Sequence, residues 1–446
     1  MELAGLIPTV GTIAWTIVFF VLALSVIVFI HEYGHYIVGR WSGIKADVFS
    51  IGFGPVLASR VDKHGTKWQI AALPFGGFVK FMGDAGAASD KDEEVMEELS
   101  ETDRRRTMHG APLWARTLTV AAGPVFNFIL SFVIFAGLIM YRGVAADPIT
   151  VDELRVLPDA PVAGLQAGDV ILEVEGQPVP STDDFTTFAR DLTPKRALTY
   201  LVERGDRRLE VAGPWLYPIY VSTVTPNWAA DEAGLVEGDV ITAVDGVEIF
   251  DFEQLRDIVG NSEGAPLTLA VWRAGETQSV TLTPARRDLP LADGGFETRW
   301  LIGLSGGLAF EPAAVAPSFW EAATYGVDQI RFIITSSISG LYHMIVGEIS
   351  TCNLSGPIGI AETSGQAASQ GAFNYIYFIA LLSTAVGLIN LFPIPVLDGG
   401  HLVFYAFEAV AGRPPSDRAL KYLMVGGLTL MLSLMLFSVG NDLICP

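Results

Sequence analysis

The stretch IAWTIVFFVLALSVIVFIHEYGH, residues 13 to 35, decides the fold. Its first 18 residues carry no charge, about the length a bilayer-spanning helix requires, and His31, Glu32 and His35 follow at once. Four residues apart on a helix, His31 and His35 project from one face and can reach a single ion. Glu32 lies beside them, where a carboxylate can take a proton from water and return it. H-E-x-x-H therefore reads as a zinc hydrolase site with Glu32 as general base. The pattern alone also arises by chance in long chains. Its place tilts the reading, because ionisable groups at membrane depth are costly and point to function before packing.

Half of the 446 residues are hydrophobic, too many for an ordinary soluble enzyme and enough, at this length, for a membrane protein with attached soluble domains. The formal net charge is -21, and most of the excess falls between Gly143 and Ala372, where 13 Lys and Arg face 32 Asp and Glu. Such a chain repels phosphate backbones, which argues against nucleic acid as a partner. Two cysteines, Cys352 and Cys445, exclude a cysteine-rich metal site or a disulfide scaffold. One disulfide between them stays open, with two unpaired thiols the favoured expectation. The first apolar run lacks a basic leader and a small-residue cleavage site, so it reads as a retained span and not a signal peptide.

Arg40 to Pro112 carries basic residues, Arg104-Arg105-Arg106 among them, as a cytoplasmic loop does, tempered by an acidic cluster from Asp90 to Glu98. Within it, Ile51-Gly52-Phe53-Gly54-Pro55 and the run from Trp68 to Phe81, punctuated by Gly76-Gly77, read as short β segments. They form either a hairpin tucked against the site, where protein satisfies extended backbone at membrane depth, or an ordinary cytoplasmic hairpin. Thr117 to Tyr141 is the second uncharged run. Its Ala121-Ala122-Gly123-Pro124 start and Asn127 suit close helix approach and an interhelical hydrogen bond. The acidic stretch then repeats itself. Gly164-Leu165-Gln166-Ala167-Gly168-Asp169-Val170-Ile171 returns as Gly234-Leu235-Val236-Glu237-Gly238-Asp239-Val240-Ile241, a spacing that fits two small tandem domains better than a solenoid. Phe332 to Gly347 is uncharged but short for a span. Counting it as one would put Asp398 on the opposite side of the bilayer from the histidines, so it is expected to be an interfacial helix with His343 on a surface. An uncharged run from Thr363 to Leu397 precedes Asp398, and Tyr422 to Asn441 forms the last span. Arg413, Arg418 and Lys421 put the connection before it on the cytoplasmic side, and both termini and the tandem domains outside.

A catalytic zinc site takes three protein ligands and keeps one position open. The best source of the third is Asn390-Leu391-Phe392-Pro393-Ile394-Pro395-Val396-Leu397-Asp398-Gly399-Gly400. Pro393 and Pro395 stop a regular helix, Gly399 and Gly400 let backbone come close, and Asp398 is otherwise expensive in an apolar run. His401, His343 and Glu348 compete with Asp398, and His401 could instead orient it or cap the broken helix.

H-E-x-G-H at His31 to His35, combined with N-x-x-P-x-P-x-x-D-G-G at Asn390 to Gly400, resembles the site-2 proteases, which are intramembrane zinc metalloproteases. The A-G-L-x-x-G-D-x-I pattern of the two repeats resembles PDZ domains, which points to the regulator-of-sigma-E protease branch of that family. Gly52-Phe53-Gly54 and Gly123-Pro124 with Asn127 extend the likeness over essentially the whole chain. The resemblance implies a polytopic α-helical membrane protein with four transmembrane helices, two inserted PDZ-like α+β domains and a membrane-associated β-hairpin. Residues 1–142 would hold the first two spans, 143–217 and 218–310 the PDZ-like domains, 311–371 an interfacial region, and 372–446 the last two spans. One zinc ion would sit on His31, His35 and Asp398 with Glu32 as base. Asn390 and the hairpin residues Gly76, Gly77 and Phe78 would hold unwound substrate, with Pro393, Pro395, Gly399, Gly400, Asn127 and His401 shaping the surroundings. The implied partners are the lipid bilayer, a single-span anti-sigma factor already trimmed by another protease, remnant signal peptides, and peptide C-termini at the PDZ-like domains. The implied place is the bacterial inner membrane, with those domains in the periplasm, the site towards the cytoplasmic face, and a role in envelope stress signalling. A catalytically inactive PDZ-bearing scaffold is the rival, and it leaves Glu32 and Asp398 in apolar runs unexplained. A zinc transporter would carry polar groups in several spans.

Overall fold

The structure, a computed structural model, describes residues 6–86, 93–158, 164–182, 184–291 and 295–445, so Asp90, Lys91 and Asp92 of the acidic cluster lie outside the described residues. The chain divides into two compact units, Met1–Leu138 with Phe319–Pro446, and Ile139–Ser318.

Four helices are long and apolar enough to cross a membrane: Ile13–Trp41, Leu113–Arg142, Ala372–Asn390 and Asp417–Ile444. In lipid every backbone polar group must be satisfied within the segment, so uncharged runs of this length settle as helices. The first ends where Gly43 turns to φ +86 and its N–H closes on the Arg40 carbonyl. Strands Ala46–Val61 and Lys67–Phe81 follow, and each is folded back on itself. Phe49 pairs with both Trp68 and Val79, which requires a bend at Gly52 (φ +87), where a Cβ would stand 2.8 Å from the Leu73 carbonyl oxygen. Phe49, Val79 and Phe81 are buried against Tyr36 of the first span. The hairpin therefore packs on the helix that carries the histidines.

A helix at Phe319–Val346 extends the expected Phe332 to Gly347 segment towards the N-terminus and takes in Glu321, Asp328 and Arg331. It is not among the four apolar helices. Its Gly326 packs on Phe132, and Ile333 joins Phe135 and Ala380 in a small core. Cys352 and Cys445 are joined in a disulfide, Cα atoms 5.5 Å apart, which corrects the expectation of two unpaired thiols. Spacing of 93 residues hid the pairing. The end of the fourth span returns to the loop before helix Pro357–Ser369, where the Asp442 carboxylate accepts the backbone N–H groups of Gly356, Ile358 and Gly359. A carboxylate at a helix N-terminus satisfies orphan donors and complements the helix dipole.

In the second unit, the repeat in sequence is a repeat in space. One antiparallel sheet orders Gln177–Pro178, Val170–Val174, Ala197–Arg204 and Arg207–Pro214, and the other orders Val247–Glu248, Val240–Val244, Leu267–Arg273 and Glu276–Leu282 in the same way. Helices Phe185–Asp191 and Phe252–Gly260 cover the two cores. The Gly-Asp of each copy has one job: Asp169 and Asp239 are fully buried, and each is forked by an arginine, Arg204 and Arg273. The turns Glu175-Gly176 and Asp245-Gly246 both run through positive φ, the two-residue geometry that matches strand twist. One returning segment completes both copies. Leu304–Gly306 pairs with Val221–Val224, Phe310–Pro312 with Val151–Leu154, and Ala314–Val315 with Val144–Ala145. Ala309 and Phe310 thus sit in the first core, and the second repeat is nested within the first.

Candidate metal centre

His31 and His35 leave one face of the first span, with side chains 12% exposed. The second span crosses that face at glycine. A Cβ on Gly34 would stand 2.6 Å from the Ala122 carbonyl oxygen, and a Cβ on Gly123 would stand 2.3 Å from His35 Nε2. Two small residues let the backbones meet. The second span then orients both rings. His35 Nδ1 lies 2.8 Å from the Thr119 carbonyl oxygen and donates to it, which leaves Nε2 as the lone-pair nitrogen. Asn127 Nδ2 lies 3.2 Å from His31 Nδ1, while its buried Oδ1 has no partner. A half-turn of the amide lets His31 Nδ1–H donate to Oδ1 and leaves Nε2 free in the same way. The Asn127 backbone carbonyl accepts the Ser131 and Ser383 hydroxyls, tying the second span to the third.

The third span stops at Asn390, and helix Asp398–Ala411 begins after an irregular turn. Val396 there has φ +98, a strained conformation for a β-branched residue. Gly399 and Gly400 fit because the turn wraps onto the helix start: a Cβ would lie 2.3 Å from the Leu391 and Phe392 carbonyl oxygens, or 2.4 Å from that of Ile394. Gly427 of the fourth span makes the same allowance for the Pro395 carbonyl. Asp398 is thereby presented at the first turn of its helix.

The three groups converge. His31 Nε2 and His35 Nε2 are 3.2 Å apart, and Asp398 Oδ2 is 3.2 and 3.4 Å from them. A tetrahedral zinc site with ligand bonds of about 2.0–2.1 Å has edges of about 3.4 Å. Asp398 Oδ2 is buried and hydrogen-bonded to nothing. Three converging ligand atoms, with each imidazole in the tautomer that leaves Nε2 its lone pair, suit a divalent cation, and the donor set of two imidazoles and one carboxylate suits zinc. Among the described residues, this is the one cluster of three or more His, Cys, Asp or Glu side chains that could hold an ion.

Glu32 stands next to the cluster and takes a backbone hydrogen bond at Val79. A side chain on Gly77 would meet Glu32, Val28 and the Ser50 carbonyl. Gly76 faces the ring of Phe53, which stacks on Phe78 with centroids 5.9 Å apart. Asn390 is turned onto its own helix, its amide donating to the Val386 carbonyl at 3.0 Å. His401 meets Phe404 edge-on. His343 and Glu348 face each other at 3.4 Å and take no part in the cluster. Close helix approach at Gly123 was expected from the sequence, whereas Thr119 and the room made by Gly34 and Gly427 were not. A usable signal was the four-residue spacing of Thr119, Gly123 and Asn127, which puts them on one helix face.

The family model of peptidase family M50 matches residues 19–434. A protein of Agrobacterium fabrum named "Putative zinc metalloprotease" is 36% identical over 439 residues, covering 97% of this chain and 97% of its own. A protein of the same name from Rhizobium meliloti is 34% identical, with 96% of each chain covered. The regulator of sigma-E protease RseP of Salmonella typhimurium is 32% identical, over 97% of this chain and 99% of its own. A match that runs from before His31 to beyond Asp398 takes in both halves of the centre, and the chain belongs to peptidase family M50.

Proposed function

We propose that the chain is an intramembrane zinc metalloprotease of the site-2 type that hydrolyses a peptide bond in single-span membrane proteins. One observation carries the reading: His31, His35 and Asp398 bring one ligand atom each to a single point, with Glu32 beside them at the end of an apolar span. Those three side chains would hold the ion, which when bound supplies Lewis-acid polarisation and a water acidified to about neutral pH. Glu32, steadied at Val79, takes the proton of the attacking water on its carboxylate and delivers it to the leaving amide nitrogen. A substrate helix hides its carbonyls in its own hydrogen bonds, and in lipid each freed group is costly unless re-paired. Strand addition along Gly76, Gly77 and Phe78, with the Asn390 amide released from Val386, supplies those partners.

The sigma-E regulators among the relatives support a trimmed anti-sigma factor as substrate, remnant signal peptides as a second class, and a place in the bacterial inner membrane. The cytoplasmic side holds the site in this reading. The nested repeats are two PDZ-like domains in the periplasm, the inner one within 218–306 and the outer one built from 143–217 together with the closing segment 309–315. They either capture peptide C-termini or hold back substrates with bulky ectodomains, while the helical segment from Phe319 to Gly371 lies at the interface. The test pairs metal analysis of the full chain in detergent with a gel assay on a model single-span substrate. One zinc per chain and a single metal-dependent cut are expected. Bound zinc without cleavage would favour a scaffold.

A further inference from the structure

We infer that Arg116 and Glu408 are positioning residues for the third zinc ligand, an inference that rests on the zinc reading of the His31, His35 and Asp398 cluster. Helix Asp398–Ala411 fully buries only Gly399 and Gly400, and Leu402 and Tyr405 are partly buried against the core that holds Tyr36 and Val120. Glu408 lies ten residues beyond Asp398, about 15 Å along the axis at 1.5 Å per residue. There Arg116, at the start of the second span, grips it through both guanidinium nitrogens: Nη2 to Oε1 at 2.6 Å and Nη1 to Oε2 at 3.0 Å. The pair is mostly sheltered, with side chains 15% and 18% exposed. The guanidinium also lies 5.2 Å from the ring centroid of Tyr405, one turn before Glu408, and its Nε–H donates to the Ala111 carbonyl. Arg116 is thus tied to the segment that leads into its own helix as well as to the other one.

What this grip does follows from where Arg116 sits. Arg116, Thr119, Gly123 and Asn127 succeed one another at steps of three and four, along one face of the second span. Thr119 and Asn127 set the two imidazoles, Gly123 leaves them room, and Arg116 sets the far end of the helix that presents Asp398. One helix therefore gauges both halves of the centre. The near end of the Asp398 helix is fixed by the Gly399-Gly400 contacts, and two fixed points define an axis. A forked ion pair specifies angle as well as distance, which a lysine in place of the arginine does not.

The experiment measures zinc loss to a chelator from the full chain in detergent, together with the thermal midpoint of the metal-free protein, for Glu408→Gln and Arg116→Lys. Residues that orient a ligand without touching the metal alter its hold by about 10–100-fold when replaced. Zinc loss at least about tenfold faster, with the metal-free midpoint unchanged, is the expected result. Wild-type rates of loss in both variants overturn the inference while leaving the zinc reading intact. Faster loss accompanied by an equal fall in the metal-free midpoint also overturns it, because the pair then only stabilises the fold. A wild-type chain that binds no zinc overturns the underlying reading instead. Should Glu408→Gln fail to accumulate because it strands a sheltered cation, Arg116→Lys keeps both charges and decides alone.

Discussion

Gly123 is the residue at which a single methyl group separates a metal centre from a helix crossing. Its Cβ would fall 2.3 Å from His35 Nε2, so Gly123→Ala should cut zinc content to below about a tenth by displacing a ligand ring. Gly137→Ala on the same helix, where a Cβ meets nothing within 4 Å, should leave it unchanged. Metal analysis of both purified variants checks the contrast. Glu32→Gln should keep zinc and abolish cleavage, whereas Asp398→Ala should lose both. Native-rate cutting by Glu32→Gln in the gel assay would remove Glu32 as the base. At Val396, φ +98 in a residue 39% exposed means that glycine relieves strain and forfeits little packing. Val396→Gly should raise the thermal midpoint of the metal-free chain, by the equivalent of about 1 kcal/mol. The sequence made the candidate ligands readable because charged or imidazole groups in apolar runs need a reason. It could not announce Thr119, whose contribution is a backbone carbonyl that every residue type has. Asn127 was visible as a source of an interhelical hydrogen bond near the site, but not its partner His31, because that link depends on where two helices cross.

Among the elements, the hairpin gives the clearest pH prediction. Asp62 closes its Val61 to Lys67 turn. Burial pushes its carboxyl up, but hydrogen bonds from Trp68 Nε1, the Thr66 and His64 N–H groups and the Tyr36 hydroxyl pull harder and hold it at about 2. A carboxyl held below its unfolded value of 3.8 stabilises the fold in full above that value and loses the contribution as pH falls from about 4 to about 2. Melting curves across that window should therefore fall more steeply for the wild-type chain than for Asp62→Asn. Short β-like runs punctuated by glycine marked the two strands, Ile51 to Pro55 lying inside the longer Ala46–Val61, and left their location open, because a β pattern does not say what a strand packs against. The contact with Glu32 follows from Gly77, a position where any side chain would push the strand away. The Cys352–Cys445 pairing was unreadable for a related reason: it depends on the fourth span returning to helix Pro357–Ser369.

At the scale of the whole chain, the repeat was legible and its nesting was not. Gly-Asp recurs because each copy buries an aspartate against an arginine, which leaves a sequence trace. The closing strands Leu304–Gly306 and Phe310–Pro312 are too short to leave one. Nesting makes a clean excision available, since Val144 and Val315 are cross-strand partners and thus about 5 Å apart. Replacing 144–315 with a short Gly-Ser linker should leave one zinc per chain and, if the repeats hold back bulky substrates, permit cutting of an untrimmed one. An unchanged limit on ectodomain size in the gel assay would reject that filter.

The same nesting dictates an order of events during synthesis. Val151–Leu154 is among the first strands to leave the ribosome after the second span, yet its partner Phe310–Pro312 is made only after the entire inner copy. The outer copy must therefore wait, unfinished, while the inner one is translated. A nascent chain arrested just short of Leu304 would carry an open outer core exposed to any protease nearby.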